Sequence, residues 1–240
     1  MSEDVPDDPL GTVREAEDLL YIVTHDLKAF ARAMRTIPDW IDEDLASQGF
    51  AIPADTRENL DMLRDYAHRL DDAMTALTEL SRVRRLADPP AAHDLQGLVT
   101  EACARLPATP RLSCDIACHD IFVLGPENDL VRLFDAVLGN AAAHHDRDFG
   151  QLRVSAAPDR GRIHITVADD GPGISHEQHE AIFKPLSTLR PKSETGHAGM
   201  GLAIARKVVR SLGGEIVVGP TDAPRGLCLR FDLPLATAPA

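Results

Sequence analysis

The stretch VADDGPGI (167–174) joins the end of a predicted strand to a loop that contains two glycines. A carboxylate at a strand end can accept a hydrogen bond from an exocyclic amine such as that of adenine, so Asp169 is a candidate binding residue. Asp170 is expected to face solvent. Gly171 and Gly173 let the backbone approach a ligand closely. Alone, this pattern fits an ordinary turn as well as a binding loop.

A second glycine-containing stretch, GHAGMGLAIARKVV (196–209), follows soon after the first. In it, Gly199 and Gly201 open an amphipathic helix. A helix that begins on glycines offers free N–H groups and a positive dipole end to phosphates. The two stretches together favour a phosphate-binding site over two unrelated turns.

Asn140 lies upstream in LFDAVLGNAAAHH (133–145), on a predicted helix of small and apolar residues. Packing gives no reason for an amide there, and its side-chain oxygen is a suitable ligand for Mg²⁺, which could bridge it to ATP phosphates. The alternative is an ordinary helical asparagine with its hydrogen bonds satisfied.

The first third of the chain has the spacing of two long helices. Apolar residues recur there at alternating steps of three and four, as in a heptad seam: Leu20, Val23, Leu27, Phe30, Met34, Ile37 and Ile41, then Leu60, Leu63, Ala67, Leu70, Met74 and Leu77. GFAIPAD (49–55) supplies a turn between them. We expect an antiparallel hairpin that pairs with a second hairpin into a four-helix bundle, with Pro38 kinking or restarting the first helix.

The rest of the chain alternates strand and helix patterns, which predicts an α+β layer structure with a mixed sheet. The predicted organisation is an acidic disordered tail over 1–11, the helical hairpin over 12–87, a proline-containing linker over 88–94 and an α/β domain over 95–236.

The net charge, the apolar stretches and the cysteines of the chain argue against several classes of partner and site. The formal charge of −13 argues against a nucleic-acid partner. No apolar stretch approaches the roughly 20 residues of a membrane span, and the acidic N-terminus is unlike a signal peptide, so we expect a cytoplasmic protein without a membrane partner. The four cysteines do not have the spacing of a zinc site and are expected to be plain thiols.

Five motifs in this order resemble those of the sensor histidine kinases of two-component systems. THDLKAFAR (24–32) resembles the H box, Asn140 the N box, DDGPGI (169–174) the first glycine box, IFKPL (182–186) the F box and GMGLAI (199–204) the second glycine box. The similarity runs from about residue 12 to 235. LSRVRR (80–85), which closes the second helix, makes the H box most similar to the phytochrome-like subtype.

The resemblance implies a homodimeric dimerisation and phosphotransfer hairpin, followed by an ATP-binding α/β sandwich of the Bergerat type shared with gyrase and HSP90. It implies that His25 accepts a phosphoryl group from Mg-ATP, that Asp26 orients or deprotonates its ring, and that Asn140 ligates Mg²⁺. The implied cofactor-binding residues are Asn140, Asp169, Gly171, Gly173, Lys184, Gly199, Gly201 and Leu202. Independently, the heptad pattern puts His25 at position f, the most exposed one, which excludes a buried core histidine.

The chain also departs from the family pattern. Ala136 stands where many members have an additional Asn, Ala143 where they usually carry Lys or Arg, and His197 at a glycine position. Nearby cations that could supply positive charge to the triphosphate are Lys184, Arg190 and Lys192, each equally readable as a solvated loop charge.

Three functions therefore stay open at this point. The leading one is an ATP-dependent histidine autokinase whose partner is a response-regulator receiver domain. The first rival is a non-enzymatic histidine phosphotransferase or adaptor with a degenerate ATP site. The second is an ATPase or Ser/Thr kinase of the same superfamily, such as an anti-sigma factor. With few residues before the first helix, we expect input from a separate sensor protein, from a change in the bundle or from a longer chain.

Overall fold

A computed structural model describes residues 9–83, 88–187, 199–221 and 225–238, without the side chains of residues 9–26, 29, 76 and 82. The chain divides into two compact units, Met1–Ser81 and Arg82–Ala240, which are treated separately below.

The first unit is a hairpin of two long helices, α1 (Pro9–Ser47) and α2 (Ala54–Arg82). Arg64 of α2 pairs with Asp39 at 3.0 Å and with Asp42, both on α1. Arg35 of α1 pairs with Asp71 of α2 at 3.7 Å. Higher numbers on one helix thus meet lower numbers on the other, which confirms the predicted antiparallel arrangement. The helix continues through Pro38 rather than restarting there, because proline removes only one hydrogen bond of the many in a long helix.

Burial in the hairpin corrects the predicted seam of α1. On α2, Leu60, Ala67 and Met74 of the predicted seam are buried, whereas Leu63 is exposed. Among the described side chains of α1, Ala31 and Pro38 are buried, one position beyond the predicted seam, whereas Leu27, Phe30, Ile37 and Ile41 of the seam are exposed. The heptad pattern identifies which residues are apolar but not which neighbour covers them. Within one hairpin, the apolar seam of α1 is left uncovered.

The second unit contains seven strands and three α-helices among the described residues. In chain order they are β1 (Ala91–Asp94), α3 (Leu95–Ala104), β2 (Arg111–Ala117), β3 (Phe122–Gly125), α4 (Glu127–His144), β4 (Phe149–Asp159), β5 (Arg162–Asp169), α5 (Gly201–Ser211), β6 (Ile216–Val218) and β7 (Cys228–Ala236). Two short 3-10 helices, His176–Gln178 and Ala181–Phe183, lie between β5 and α5.

The strands form one mixed sheet in the order β1-β3-β7-β5-β4-β2, with β6 paired beside β3 along the same edge of β7. Neighbouring strands are antiparallel except β2 and β4, which are parallel. Alternate residues of β4, β5 and β7, such as Val154, Ile165 and Phe231, join the buried faces of α3, α4 and α5 in one core. This is the predicted mixed sheet of an α/β sandwich, with the helices packed on its apolar face.

Two predicted boundaries are wrong. The second half of the predicted linker, residues 91–94, is strand β1, because AAHD pairs in register with residues 122–125 of β3 although it lacks the alternating pattern of a strand. Its last residue, Asp94, also caps α3 by accepting hydrogen bonds from the backbone of Gln96 and Gly97. Helix α1 begins at Pro9, within the predicted tail. Among the helices that the structure describes, none is long and apolar enough to cross a membrane.

The packing between α4 and the sheet predicts the cost of removing one core ring. Phe134 is fully buried and its ring lies 6.2 Å from that of Phe231 on β7. Phe134→Ala should lower the free energy of unfolding of the second unit by about 3–5 kcal/mol, since it leaves a cavity that the core closes only in part. Urea denaturation measures this. Phe149→Ala is the control: that ring is 70% exposed, and its loss should change stability by less than about 0.5 kcal/mol. Equal effects of the two substitutions would contradict the packing described here.

Candidate functional site

Helix α4 presents a small, polar face next to its buried face. Leu133, Phe134, Val137, Leu138 and Ala141 pack into the core. Ala136, Asn140 and Ala143 follow one another at helical spacing along the half-buried side. Asn140, the candidate metal ligand, is the amide on this face, and the alanines on either side leave space around it.

Asp169 is the last residue of β5 and is held by backbone hydrogen bonds. Its Oδ1 accepts from the N–H groups of Gly171 at 2.9 Å and Leu227 at 3.1 Å, and its own N–H donates to the carbonyl of Leu227 at 3.0 Å. Burial raises the pKa of Asp169 above the usual value of an aspartate, although the two N–H donors oppose that shift. Among the described residues, Oδ2 has no hydrogen-bond partner. Asp169 thus offers one acceptor oxygen, Oδ2, at a half-buried position.

The loop after Asp169 lies directly against the turn that leads into β7. Gly173 has φ of +72° and Gly226 has φ of +105°. A Cβ at Gly173 would lie 2.9 Å from the carbonyl oxygen of Gly226, and one at Gly226 would lie 1.9 Å from that of Asp169. Only glycine fits at both positions without moving the backbone.

The N-terminus of helix α5 has no side-chain cap. Met200, its N-cap residue, makes no side-chain capping hydrogen bond, and Gly199 before it has φ of +67°. A Cβ at Gly201 would lie 3.6 Å from the carbonyl oxygen of Ala136, an ordinary van der Waals distance, so α5 begins close to α4. The first N–H groups of α5 are therefore available to a ligand, together with the positive end of the helix dipole.

These elements enclose a cavity of about 450 Å³, within the usual range for small-molecule sites. The cavity brings together six of the predicted residues: Asn140, Asp169, Gly173, Gly199, Gly201 and Leu202. They come from three stretches of the chain, and Leu227 before β7 adds a fourth.

The other predicted residues are not part of the described lining. Gly171 instead positions Asp169 through its N–H group. Lys184 is exposed and does not line the cavity, whereas Ile182 and Phe183 just before it are buried. Arg190, Lys192 and His197 lie outside the described residues, as do the side chains of His25 and Asp26, whose backbone belongs to α1.

The described lining carries carboxylates but no lysine or arginine. One carboxylate, Asp135, accepts hydrogen bonds from Arg105 Nε at 2.9 Å and Nη2 at 2.8 Å. Ala136 and Ala143 both line the cavity with methyl groups, at the positions where the sequence departs from the family pattern. In the part of the chain that the structure describes, no three His, Cys, Asp or Glu side chains gather as a metal site.

Asp170 is more constrained than expected. Its Oδ1 lies 3.0 Å from Nε2 of His145 and accepts a hydrogen bond from the N–H of Gln151 at 2.7 Å. The His145 side chain has no exposed surface. No local pattern in the sequence marks this pair, because the two residues are 25 positions apart along the chain.

The comparisons with known proteins match this architecture. Residues 125–237 match the family of histidine kinase-, DNA gyrase B- and HSP90-like ATPases. The methanogenesis regulatory histidine kinase FilI of Methanothrix harundinacea is 28% identical over 231 residues, which are 92% of this chain and 25% of FilI. The sensor protein PfeS of Pseudomonas aeruginosa is 28% identical over 77% of this chain and 41% of PfeS. The chain is thus similar to the catalytic core of sensor histidine kinases.

The fold of the chain agrees with that of a solved structure. The crystal structure of full-length ShkA in complex with AMPPNP superposes with a TM-score of 0.61 over 93% of this chain and 47% of that one, at 21% identity. The chain therefore spans between a quarter and a half of the length of these relatives. The phytochrome-like subtype of the H box stays a prediction.

The burial of Asp169 predicts a pH-dependent stability. Its pKa is raised in the native state, so the charged carboxylate destabilises the fold at neutral pH, above that raised pKa. Asp169→Asn keeps an oxygen acceptor for Gly171 and Leu227 and removes the charge. Without nucleotide, the variant should melt at a higher temperature than the parent at pH 7. The difference should shrink as the pH falls through the raised pKa, because the native carboxyl is then protonated.

Scanning calorimetry between pH 4 and 7 measures the effect. Asp115→Asn, at an exposed residue paired with Arg153 at 3.4 Å, is the control and should change the melting temperature little. A lower melting temperature of Asp169→Asn at pH 7 would show that burial of this carboxylate does not destabilise the fold.

Proposed function

We propose that the protein is an ATP-dependent histidine kinase that phosphorylates its own His25 and passes the phosphoryl group to an aspartate of a response-regulator receiver domain. The supporting observation is the cavity that collects Asn140, Asp169 and the glycines before α5 between two helices and the end of a strand. These polar groups fit a purine at the Asp169 end of the cavity and phosphates at the end formed by the start of α5.

At the purine end, Asp169 is the recognition residue. Its Oδ1 is occupied by Gly171 and Leu227, so Oδ2 accepts a hydrogen bond from the exocyclic amine of adenine. At the phosphate end, the N–H groups at the start of α5, around Gly201 and Leu202, bind the phosphate oxygens. An uncapped helix N-terminus provides both donors and favourable dipole charge for this purpose.

Asn140 is the proposed Mg²⁺ ligand. Its amide oxygen is a hard donor, and Mg²⁺ is commonly held by one or two protein oxygens together with substrate phosphates. The described lining has no lysine or arginine, so the N-terminus of α5 is the positive group that the described residues offer to the triphosphate, together with the metal ion. When bound, Mg²⁺ supplies positive charge at the phosphates.

The proposed phosphoacceptor, His25, belongs to the continuous helix α1. Residues seven apart on a helix lie almost in line, displaced by about 20° per heptad. Arg32 and Asp39, one and two heptads after His25, are both exposed. The same line of α1 therefore runs along an accessible surface, as a phosphoacceptor requires.

In the proposed reaction, an imidazole nitrogen of His25 attacks the γ-phosphorus of ATP. A bond forms between that nitrogen and phosphorus, the bond from phosphorus to the β–γ bridging oxygen breaks, and ADP leaves. Asp26 takes the proton from the other ring nitrogen as a general base. A carboxylate oxygen of a receiver-domain aspartate then forms a bond to the same phosphorus, the bond from the His25 nitrogen to phosphorus breaks, and the proton held by Asp26 returns to the ring, which restores His25.

We also propose that the hairpin forms a homodimer. Leu27, Phe30, Ile37 and Ile41 of α1 are exposed, as are Trp40, Met62, Leu63 and Tyr66 nearby in the hairpin. Such a large apolar surface favours association. A second copy of the hairpin, packed as a four-helix bundle, covers it.

Because the reaction consumes ATP, we place the protein in the cytoplasm.

If His25 is the phosphoacceptor, its loss should stop phosphorylation without affecting the binding of Mg-ATP. His25→Ala should abolish acid-labile, base-stable labelling from γ-labelled Mg-ATP, while the dissociation constant for Mg-ATP changes by less than about twofold, since the two sites lie in different units. Asp26→Asn should keep ATP binding and slow labelling by roughly 10²–10⁴-fold, as expected for loss of a positioned base. Acid-labile label on the His25→Ala variant would exclude His25 as the acceptor.

Ala143 allows a test against the non-enzymatic alternative, which rests on Ala136 and Ala143 in the lining. Ala143→Lys adds a positive charge beside the proposed triphosphate and should tighten Mg-ATP binding about fivefold. Ala143→Gln has similar length without charge and should leave the dissociation constant nearly unchanged. Calorimetry with the full chain measures both. If the parent protein binds no Mg-ATP at millimolar concentration, the adaptor is the better description.

A further inference from the structure

Arg225 connects three segments of the second unit. Its Nε donates to the carbonyl oxygen of Gly171 at 2.8 Å, and its Nη2 lies 2.7 Å from each carboxylate oxygen of Asp146. The guanidinium lowers the pKa of Asp146 below its usual value, which marks a favourable charge pair. A planar guanidinium with several donors is suited to binding a carbonyl and a carboxylate at once.

The hydrogen bond to Gly171 reaches the candidate adenine ligand in one further step. The same glycine that accepts from Arg225 through its carbonyl donates through its N–H to Oδ1 of Asp169. Leu227, two residues after Arg225, donates to that oxygen as well. One short turn before β7 thus fixes Asp169 directly and through the Gly171 peptide.

The bond to Asp146 reaches the segment that follows α4. Asp146 follows α4, the helix that carries Asn140. Arg225 itself does not line the cavity in the described structure. It therefore links the strand end that carries Asp169 to the end of the helix that carries the proposed metal ligand.

We infer that Arg225 is a positioning residue that holds Asp169 in the geometry required to recognise the exocyclic amine of adenine. The inference rests on the proposed function, because it assumes that ATP occupies this cavity. Arg225 acts through the Gly171 peptide and through Asp146 and touches no substrate atom. Small displacements of a recognition group weaken binding strongly, whereas one partly exposed ion pair contributes little to folding stability.

The experiment compares two nucleotides in the full chain. Mg-ATP and Mg-ITP share the triphosphate and sugar, but inosine lacks the exocyclic amine. By calorimetry, the parent should bind ATP at least about tenfold more tightly than ITP, since an unpaired buried acceptor is costly. Arg225→Ala should weaken ATP binding about tenfold while changing ITP binding little, so that the preference is lost. Arg225→Lys, which can bind Gly171 or Asp146 but not both, should retain an intermediate preference.

Two controls separate positioning from a general loss of structure. Asp146→Asn keeps the bond between Arg225 and Gly171 and should also give an intermediate preference. Arg153→Ala removes an exposed arginine paired at 3.4 Å with Asp115 and should match the parent for both nucleotides.

Each outcome has a definite meaning. An unchanged ratio of ATP to ITP affinity in Arg225→Ala, or an equal loss for both nucleotides, overturns the positioning role while the proposed function stands. A parent protein that binds neither nucleotide overturns the proposed function and the inference with it.

Discussion

The site depends on the junction where β5 ends beside the start of β7. There the N–H of Asp169 donates to the carbonyl oxygen of Leu227, and the N–H of Leu227 donates to Oδ1 of Asp169. The junction exists because Gly226 allows the turn to approach closer than any Cβ would permit. Asp169, Gly226 and Leu227 thus lie where the pairing of β5 with β7 ends and also fix the carboxylate, so the sheet sets the geometry of recognition.

The cavity itself follows from how α4 and α5 share one core. Both helices bury leucine, valine and alanine side chains against the sheet, and the start of α5 lies close to Ala136 of α4. These two helices and the end of β5 then enclose the cavity, and three polar groups of the described residues set its electrostatic character. A carboxylate lies at one end, an uncapped helix N-terminus at the other, and an amide between them.

Local patterns in the sequence predicted much of this arrangement. The predicted helix that carries Asn140 is α4, and the glycines and Asp169 were identifiable because each has a local stereochemical reason. Strand β1 was not predictable, since AAHD becomes a strand only by pairing with β3. Which face of α1 meets α2 depends on a neighbour that the heptad pattern does not specify. Arg225 was missed because its partners, Gly171 and Asp146, are more than 50 residues away.

Amide hydrogen exchange of the full chain, with and without Mg-ATP, tests the central claim most directly. Opening of these segments is local, so a bound ligand slows exchange where it makes contact. The account predicts that Mg-ATP slows exchange in four separate segments, residues 136–144, 169–174, 199–203 and 225–228. Unchanged exchange in all four segments, or protection confined to other parts of the second unit, would contradict the assignment of this cavity as the nucleotide site.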